Sequence, residues 1–142
     1  MWTGSEMIVW GGMNDRQALN SGGRLAVATH TWTSLPSADA PSARTGHTAV
    51  WTGTELLIWG GVVPSGDPMA GPVSYTGINR GLRYNPSTGV WLPMSLTGAP
   101  EGRFGHSAVW TGTEMIIWGG QTSGSNFSSP VVLATGCKYN PS

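Results

Sequence analysis

The fold is decided by the stretch Trp51-Thr-Gly-Thr-Glu-Leu-Leu-Ile-Trp59-Gly60-Gly61, which occurs three times in this chain of 142 residues. The first copy runs from Trp2 to Gly12 and the third from Trp110 to Gly120, so the copies lie 49 and then 59 residues apart. Self-similarity at a spacing of this size is the sequence mark of a repeat architecture. We therefore treat the chain as one unit repeated.

Other segments repeat together with this stretch. Arg44-Thr-Gly-His-Thr-Ala-Val matches Arg103-Phe-Gly-His-Ser-Ala-Val, and Trp32 matches Trp91, both at an offset of 59 residues. Likewise Arg83-Tyr-Asn-Pro-Ser matches Lys138-Tyr-Asn-Pro-Ser. The repeat therefore organises the whole chain.

Each unit is predicted to contain four short antiparallel strands, and the second unit shows all of them. The strands are expected at 47–51, 55–59, 81–85 and 90–94, because these apolar runs are bounded by turn residues such as Thr52-Gly53 and Pro86-Ser-Thr-Gly89. No segment shows helical periodicity. The sequence thus predicts an all-β fold, and four strands in about 50 residues is the arithmetic of a β-propeller blade.

A glycine doublet that closes a hydrophobic second strand, followed by a Tyr and a Trp, resembles the kelch repeat. In the second unit these marks are Gly60-Gly61, Tyr84 and Trp91, whereas the first unit has Leu25 at the tyrosine position. The resemblance covers essentially the whole chain. It implies a kelch-type propeller in which the first strand of each blade lies nearest the central axis.

The blades do not add up to a closed ring. We expect a first unit, 1–35, that lacks most of its first strand, a complete second unit, 36–94, and a third unit, 95–142, that lacks its fourth strand. Closed propellers need about four to eight blades. The chain is thus expected to form an open arc, either as a piece of a longer propeller or as one of several copies that complete a ring.

The composition of the chain limits the classes of partner that it is expected to bind. Lys plus Arg and Asp plus Glu each number 7, so the net charge is zero, which excludes an electrostatic nucleic-acid binder. The sequence contains no run of about 18 apolar residues, the length that would indicate a membrane span. The N-terminus shows no signal peptide, although the kelch resemblance favours an extracellular or cell-surface location. The single cysteine, Cys137, is expected to be a small buried hydrophobe or a partly exposed thiol.

One side of the fold is predicted to bear the function. Antiparallel alternation puts the long, dissimilar connections on one side, which we call the loop side, and the short turns on the other. Variable loops on a rigid scaffold commonly carry binding residues. The candidate binding residues on the loop side are Asp15, Arg16, Arg44, Asp67, Arg80 and Arg103.

The repeated Arg-x-Gly-His, at Arg44 to His47 and Arg103 to His106, has two interpretations. In one, both arginines bind an anionic ligand near the axis, because the guanidinium fork suits carboxylates. In the other, each group supports its own blade: the arginine pairs with a repeated glutamate such as Glu55 or Glu114, and the histidine hydrogen-bonds a neighbouring blade.

Catalytic and metal sites find no support in the residues. The repeated glutamates are separated by whole blades, too far for a pair of catalytic carboxylates. His30, His47 and His106 lack metal-ligand spacing, and Cys137 has no histidine near it in sequence for a copper site of the kind some kelch-type propellers carry. We expect no catalytic residues, metal or cofactor.

The sequence therefore favours a non-catalytic binding or interaction module that takes a protein or glycan on the loop side. The first alternative is a structural, homo-oligomeric assembly of several chains into a ring. A further alternative is a fragment of a propeller enzyme, because such active sites gather loops from several blades.

Overall fold

The computed structural model describes residues 1–15, 17–65, 74–122, 124–125 and 131–141. Within these ranges every regular element is a β-strand, which confirms the all-β prediction. In chain order the strands are β1 (Glu6–Trp10), β2 (Met13–Asn14), β3 (Gln17–Ala18), β4 (Gly22–Ala26), β5 (Thr31–Ser34), β6 (Thr48–Trp51), β7 (Leu56–Trp59), β8 (Val62–Ser65), β9 (Ser74–Gly77), β10 (Gly81–Asn85), β11 (Val90–Pro93), β12 (Ser107–Trp110), β13 (Met115–Trp118), β14 (Gly124–Ser125) and β15 (Gly136–Tyr139).

Each unit contributes one antiparallel sheet. The second unit forms a four-stranded sheet in the order β11-β10-β7-β6, so its four predicted strands are confirmed. The first unit forms the sheet β1-β4-β5 and the third the sheet β12-β13-β15. A trace of a further strand precedes β1, since Met1 and Ile8 exchange main-chain hydrogen bonds.

The register within the sheets aligns the repeated residues. Tyr84 lies opposite Trp91 across β10 and β11, and Leu25 lies opposite Trp32 across β4 and β5. Leu25 therefore occupies the position that Tyr84 has in the second unit. Because side chains alternate across a strand, each sheet offers one apolar set to each neighbouring unit.

Two apolar clusters join the three sheets. Ile8 and Trp10 pack against Leu56 and Ile58 at the first junction, between units one and two. Leu57 and Trp59, from the opposite face of β7, pack at the second junction, between units two and three. Both faces of β7 are consequently buried, as its unbroken apolar run predicts.

The long connections are more ordered than the sequence indicates. Within them, β2 pairs with β3, and β9 pairs with both β8 and β14. The small sheet β14-β9-β8 links the connections of the second and third units. Main-chain pairing across a Gly- and Pro-rich segment leaves little trace in side-chain pattern, which is why it escaped prediction.

Candidate functional site

The repeated arginines lie at the loop side of the junctions, inside the protein. Arg44 is 1% exposed. Its Nη1 donates to the carbonyl oxygens of Gly60 at 3.1 Å and Arg80 at 3.2 Å, while its Nε and Nη2 donate to Ser42. Burial and the positive charge of Arg80 lower the pKa of Arg44 to about 10. The guanidinium therefore stays charged at neutral pH and is held by carbonyl dipoles.

Arg103 repeats this arrangement one unit later. It is also 1% exposed, and its Nη1 donates to the carbonyl oxygens of Gly119 at 3.0 Å and Thr135 at 2.6 Å. The main-chain oxygen of each arginine in turn accepts from a glycine of the preceding unit: Gly12 N bonds to Arg44 O and Gly61 N to Arg103 O. Each arginine thus clasps two consecutive glycine doublets, and we call this the arginine clasp.

The clasp decides between the two interpretations of the repeated arginine. A guanidinium that is buried and bonded to backbone carbonyls is not offered to a ligand on the surface. The expected glutamate partners were wrong: Glu55 pairs with Arg83 at 3.6 Å and Glu114 with Lys138 at 3.0 Å, both within their own sheets. Carbonyl acceptors carry no side-chain signal, so the sequence suggested the glutamates instead.

The repeated histidines support the junctions, as the structural interpretation expects. His106 accepts or donates a hydrogen bond between its Nε2 and Thr48 Oγ1 of the preceding unit, at 2.7 Å. Its ring stands edge-on to Trp59 at 5.2 Å, as the ring of His47 stands to Trp10 at 5.5 Å. Burial and the nearby Arg103 lower the pKa of His106 to about 4, so the ring is neutral at pH 7.

His47 is perturbed in the same direction. Burial and the positive charge of Arg44 lower the pKa of the His47 ring. Neither Nδ1 of His47 nor that of His106 finds a hydrogen-bond partner among the described residues. Both imidazoles are packed at the junctions beside positively charged guanidinium groups, which would repel a metal cation.

The other predicted loop-side residues have different outcomes. Asp15 and Arg80 are exposed on the loop side, and Arg80 reaches the arginine clasp only through its main-chain oxygen. Arg16 and Asp67 lie outside the described residues. The structure therefore brings Arg44 and Arg80 together, and leaves Asp15 and the Arg80 side chain to face solvent.

Sequence reasoning missed the spaces between elements. On the short-turn side, an open polar groove of about 910 Å³ runs between the first two units, beside Trp51, Arg24 and Asn85. A smaller groove of about 670 Å³, beside Trp110 and Asn140, repeats it between the next two units. A third space, a cleft beside β15, lies between this strand and the connection that follows β11. The repeated Trp51 and Trp110 were the available signal for the grooves.

The described part of the chain contains neither a metal-binding cluster nor a membrane-spanning helix. No group of three or more His, Cys, Asp or Glu side chains converges there to hold an ion. No helix long and apolar enough to cross a membrane occurs in the same part. The described Arg44, Arg103 and His106 side chains hydrogen-bond groups of the fold itself at the junctions.

Comparison with known proteins supports the fold and goes no further. No protein-family model matches the chain, and no curated protein matches it in sequence. The solved structures include 120 similar chains. One of them, described as "Structure of YjhT", aligns with a TM-score of 0.54 and 21% identity over 79% of this chain and 33% of that one. The chain thus spans about a third of that structure's length.

Proposed function

We propose that this chain is a non-catalytic binding module made of kelch-type propeller blades, and that it binds a protein or glycan on its loop side. The observation that carries the proposal is that repeated and unrepeated residues have different roles. The side chains of the repeated Arg44, Arg103 and His106 make hydrogen bonds within the fold at the junctions. What differs from unit to unit lies in the loop-side connections.

The loop side offers the kind of surface that recognition uses. Its small sheet β14-β9-β8 connects two units and so gives the connections a common frame. Asp15, Arg80 and Glu101 supply isolated charges of both signs around it. Such a surface favours recognition by scattered hydrogen bonds over capture of a highly charged polymer.

A binding screen with paired variants tests the proposal. The chain is screened against glycan arrays and a panel of purified extracellular proteins, and each binder is retested with the double variant Asp15→Lys, Arg80→Glu. We expect at least about a tenfold loss of affinity, because reversed charges leave partner groups unpaired. Thr54→Glu, on the exposed short-turn side, is the matched control and should bind as the original chain does.

Three results would overturn this function. Turnover of a substrate by the intact chain would make it an enzyme, and one bound copper per chain would give it a metal cofactor. Equal loss of binding in Thr54→Glu and in the loop-side double variant would contradict the assignment of binding to the loop side.

Self-assembly is the second candidate, and the two outer flanks favour it. Val109, Ile116 and Trp118 are exposed on the far face of the third unit, and Met7 and Val9 on the near face of the first. Their equivalents inside the second unit, such as Leu57 and Ile58, are buried at junctions. Light scattering tests this: a monodisperse monomer at all concentrations would exclude assembly, whereas oligomers that Trp118→Glu dissolves would support it.

A further inference from the structure

The short-turn side carries a groove that repeats with the units. The first groove, about 910 Å³ counting its open mouth, lies between units one and two, and the second, about 670 Å³, lies between units two and three. In each groove, one wall is the turn before the second strand of a unit, and the other wall belongs to the next unit. The grooves lie opposite the loop side, so the inference below does not depend on the surface proposed above.

The same kinds of residue line both grooves. The equivalent pairs that matter here, first groove first, are Ser5 and Thr54, Glu6 and Glu55, Trp51 and Trp110, and Asn85 and Asn140. Thr54 lines the first groove as well as the second. The groove is therefore a product of the repeat, made wherever two consecutive units meet.

Each groove presents one tryptophan whose ring is anchored in the protein. Trp51 packs against the first apolar cluster and Trp110 against the second, yet both side chains are only partly buried. A ring that is already held loses little conformational entropy when a ligand stacks on it. Because the π face of an indole carries partial negative charge, it attracts the C–H groups of a sugar ring. Both tryptophans thus have the rigidity and the exposure that stacking needs.

A carboxylate and a guanidinium lie beside the indole of the first groove. Glu6 Oε2 is 3.8 Å from Arg24 Nη1, and the two side chains are 28% and 34% exposed. The same Nη1 donates to Pro86 O, in the opposite wall, at 3.5 Å. Beside the second groove, Glu55 and Arg83 are tied to the next unit in the same way. These partly exposed groups can accept from and donate to hydroxyl groups of a ligand by charge-assisted hydrogen bonds.

The charge balance and the single ring favour one class of ligand. An anionic polymer needs unpaired cations, whereas Arg24 is paired with Glu6. A proline-rich peptide docks in an aromatic-lined groove, whereas Trp51 is the one aromatic side chain among the described residues that line the first groove. A neutral sugar has an apolar C–H face and hydroxyl groups that both donate and accept, which match the ring and its polar neighbours.

We propose that each groove binds a segment of a neutral oligosaccharide, with one sugar ring stacked on Trp51 or Trp110 and its hydroxyl groups bonded to the adjacent glutamate–arginine pair. The two grooves are equivalent, so one chain has two such sites. A polysaccharide long enough to reach both gains affinity through effective concentration.

Titration of the intact, ¹⁵N-labelled chain tests the proposal. The probes are neutral hexasaccharides of glucose, xylose, mannose and N-acetylglucosamine, and the indole N–H resonances are followed. We expect at least one probe to shift the signals of Trp51 and Trp110 saturably, with a Kd of about 1 mM or below. The signal of Trp91, which is 3% exposed, should stay in place. Trp51→Phe and Trp110→Phe assign the two signals.

Two exposed positions allow each groove to be blocked separately. Ser5 lines only the first groove and Thr113 only the second. Ser5→Lys should weaken the response of Trp51 at least about tenfold and leave that of Trp110 unchanged, because the lysine fills the groove and competes for Glu6. Thr113→Lys should have the reverse effect. Thr29→Lys, exposed in another short turn, is the matched control and should change neither response. Melting curves establish that the variants fold.

The loop-side variants separate this proposal from the function proposed above. Because Thr54 lines both grooves, Thr54→Glu should weaken sugar binding at both, whereas the double variant Asp15→Lys, Arg80→Glu should not. A ligand of the loop side should respond in the opposite way. Either proposal can therefore fail while the other stands.

Three outcomes would overturn the proposal. The first is no shift of either indole signal by any of the neutral hexasaccharides up to about 10 mM. The second is a pair of shifts that persist in Ser5→Lys and Thr113→Lys. The third is a response only to oligogalacturonate or only to a hexaproline peptide, which would assign the grooves to an acidic glycan or to a proline-rich partner.

Discussion

Trp59 and Trp118 occupy the same position in successive units, yet they meet opposite environments. Trp59 is 5% exposed because the third unit covers it, whereas Trp118 is 60% exposed on the outer face of that unit. The two strands that carry them, β7 and β13, have nearly the same sequence and the same place in their sheets.

This difference shows that the apolar core of one unit is completed by the unit packed against it. An outer sheet buries only the face that contacts its neighbour, whereas the middle sheet buries both, so the stability of a unit is shared with the next one. Covering the additional surface of one tryptophan is worth about 3 kcal/mol at the usual free energy per area. The free flank is therefore the least stabilised part of the molecule, and substitutions made there and at a junction should differ accordingly.

The largest contrast is expected from removal of the tryptophans themselves. Trp59→Ala should lower the free energy of unfolding by about 3–5 kcal/mol, because it empties a packed junction. Trp118→Ala should lower it by less than about 1 kcal/mol, since most of that ring already contacts water. Urea unfolding of both variants measures the contrast, and equal losses would mean that Trp118 is covered in solution.

We expect acid to destabilise the junctions and to have little effect on the exposed flank. The pKa of His106 is about 4 in the folded chain and about 6.5 in the unfolded chain. The unfolded chain therefore binds the extra proton first, and the free energy of unfolding should fall as the pH drops from about 6.5 to about 4, by about 3 kcal/mol from this residue.

Unfolding of His106→Gln across that pH range tests the assignment. The variant should show a shallower dependence on pH, with the remainder due to His47, whose pKa is lowered in the same direction. An unchanged dependence would remove His106 as its source.

Two glycines with the same backbone angle sharpen the comparison at smaller scale. Gly60 and Gly119 have φ near +70°, which penalises any other residue by about 1 kcal/mol. A methyl group on Gly60 would lie 2.6 Å from the His106 ring and 2.8 Å from Arg103 O, whereas on Gly119 its nearest neighbour would be Leu133 O at 3.7 Å.

We expect Gly60→Ala to be about 2 kcal/mol more destabilising than Gly119→Ala, because only the first must displace packed atoms. Thermal and urea unfolding of the pair measure this difference. If Gly119→Ala were as harmful as Gly60→Ala, the histidine of another unit would have to contact Gly119.

The smallest contrast concerns the ion pairs. The Lys138–Glu114 pair is shorter than Arg83–Glu55, at 3.0 against 3.6 Å, but the lysine side chain is 70% exposed and the arginine 28%. Arg83 also donates to Pro141 O at 2.9 Å. Arg83→Met should cost about 1 kcal/mol and Lys138→Met about 0.3 kcal/mol, as expected for exposed pairs. The reverse order would indicate that distance outweighs exposure.

The sequence predicted those parts of the fold that side-chain pattern encodes. The four strands of the second unit and the alignment of Leu25 with Tyr84 follow from apolar runs and turn residues. The partners of Arg44 did not follow, because its acceptors are main-chain oxygens that any residue could supply. The cleft beside β15 was also out of reach, since its walls come from separate segments of the chain.

The arginine clasp also constrains one sequence separation more than another. Each arginine lies 16 residues before the glycine whose carbonyl oxygen it contacts, from Arg44 to Gly60 and from Arg103 to Gly119. The second carbonyl lies 36 residues after Arg44, at Arg80, but only 32 residues after Arg103, at Thr135. Insertions and deletions can therefore accumulate between the glycine doublet and the second carbonyl without changing the first separation. A lineage of such repeats could diversify its connections while every copy still joined the next in the same way.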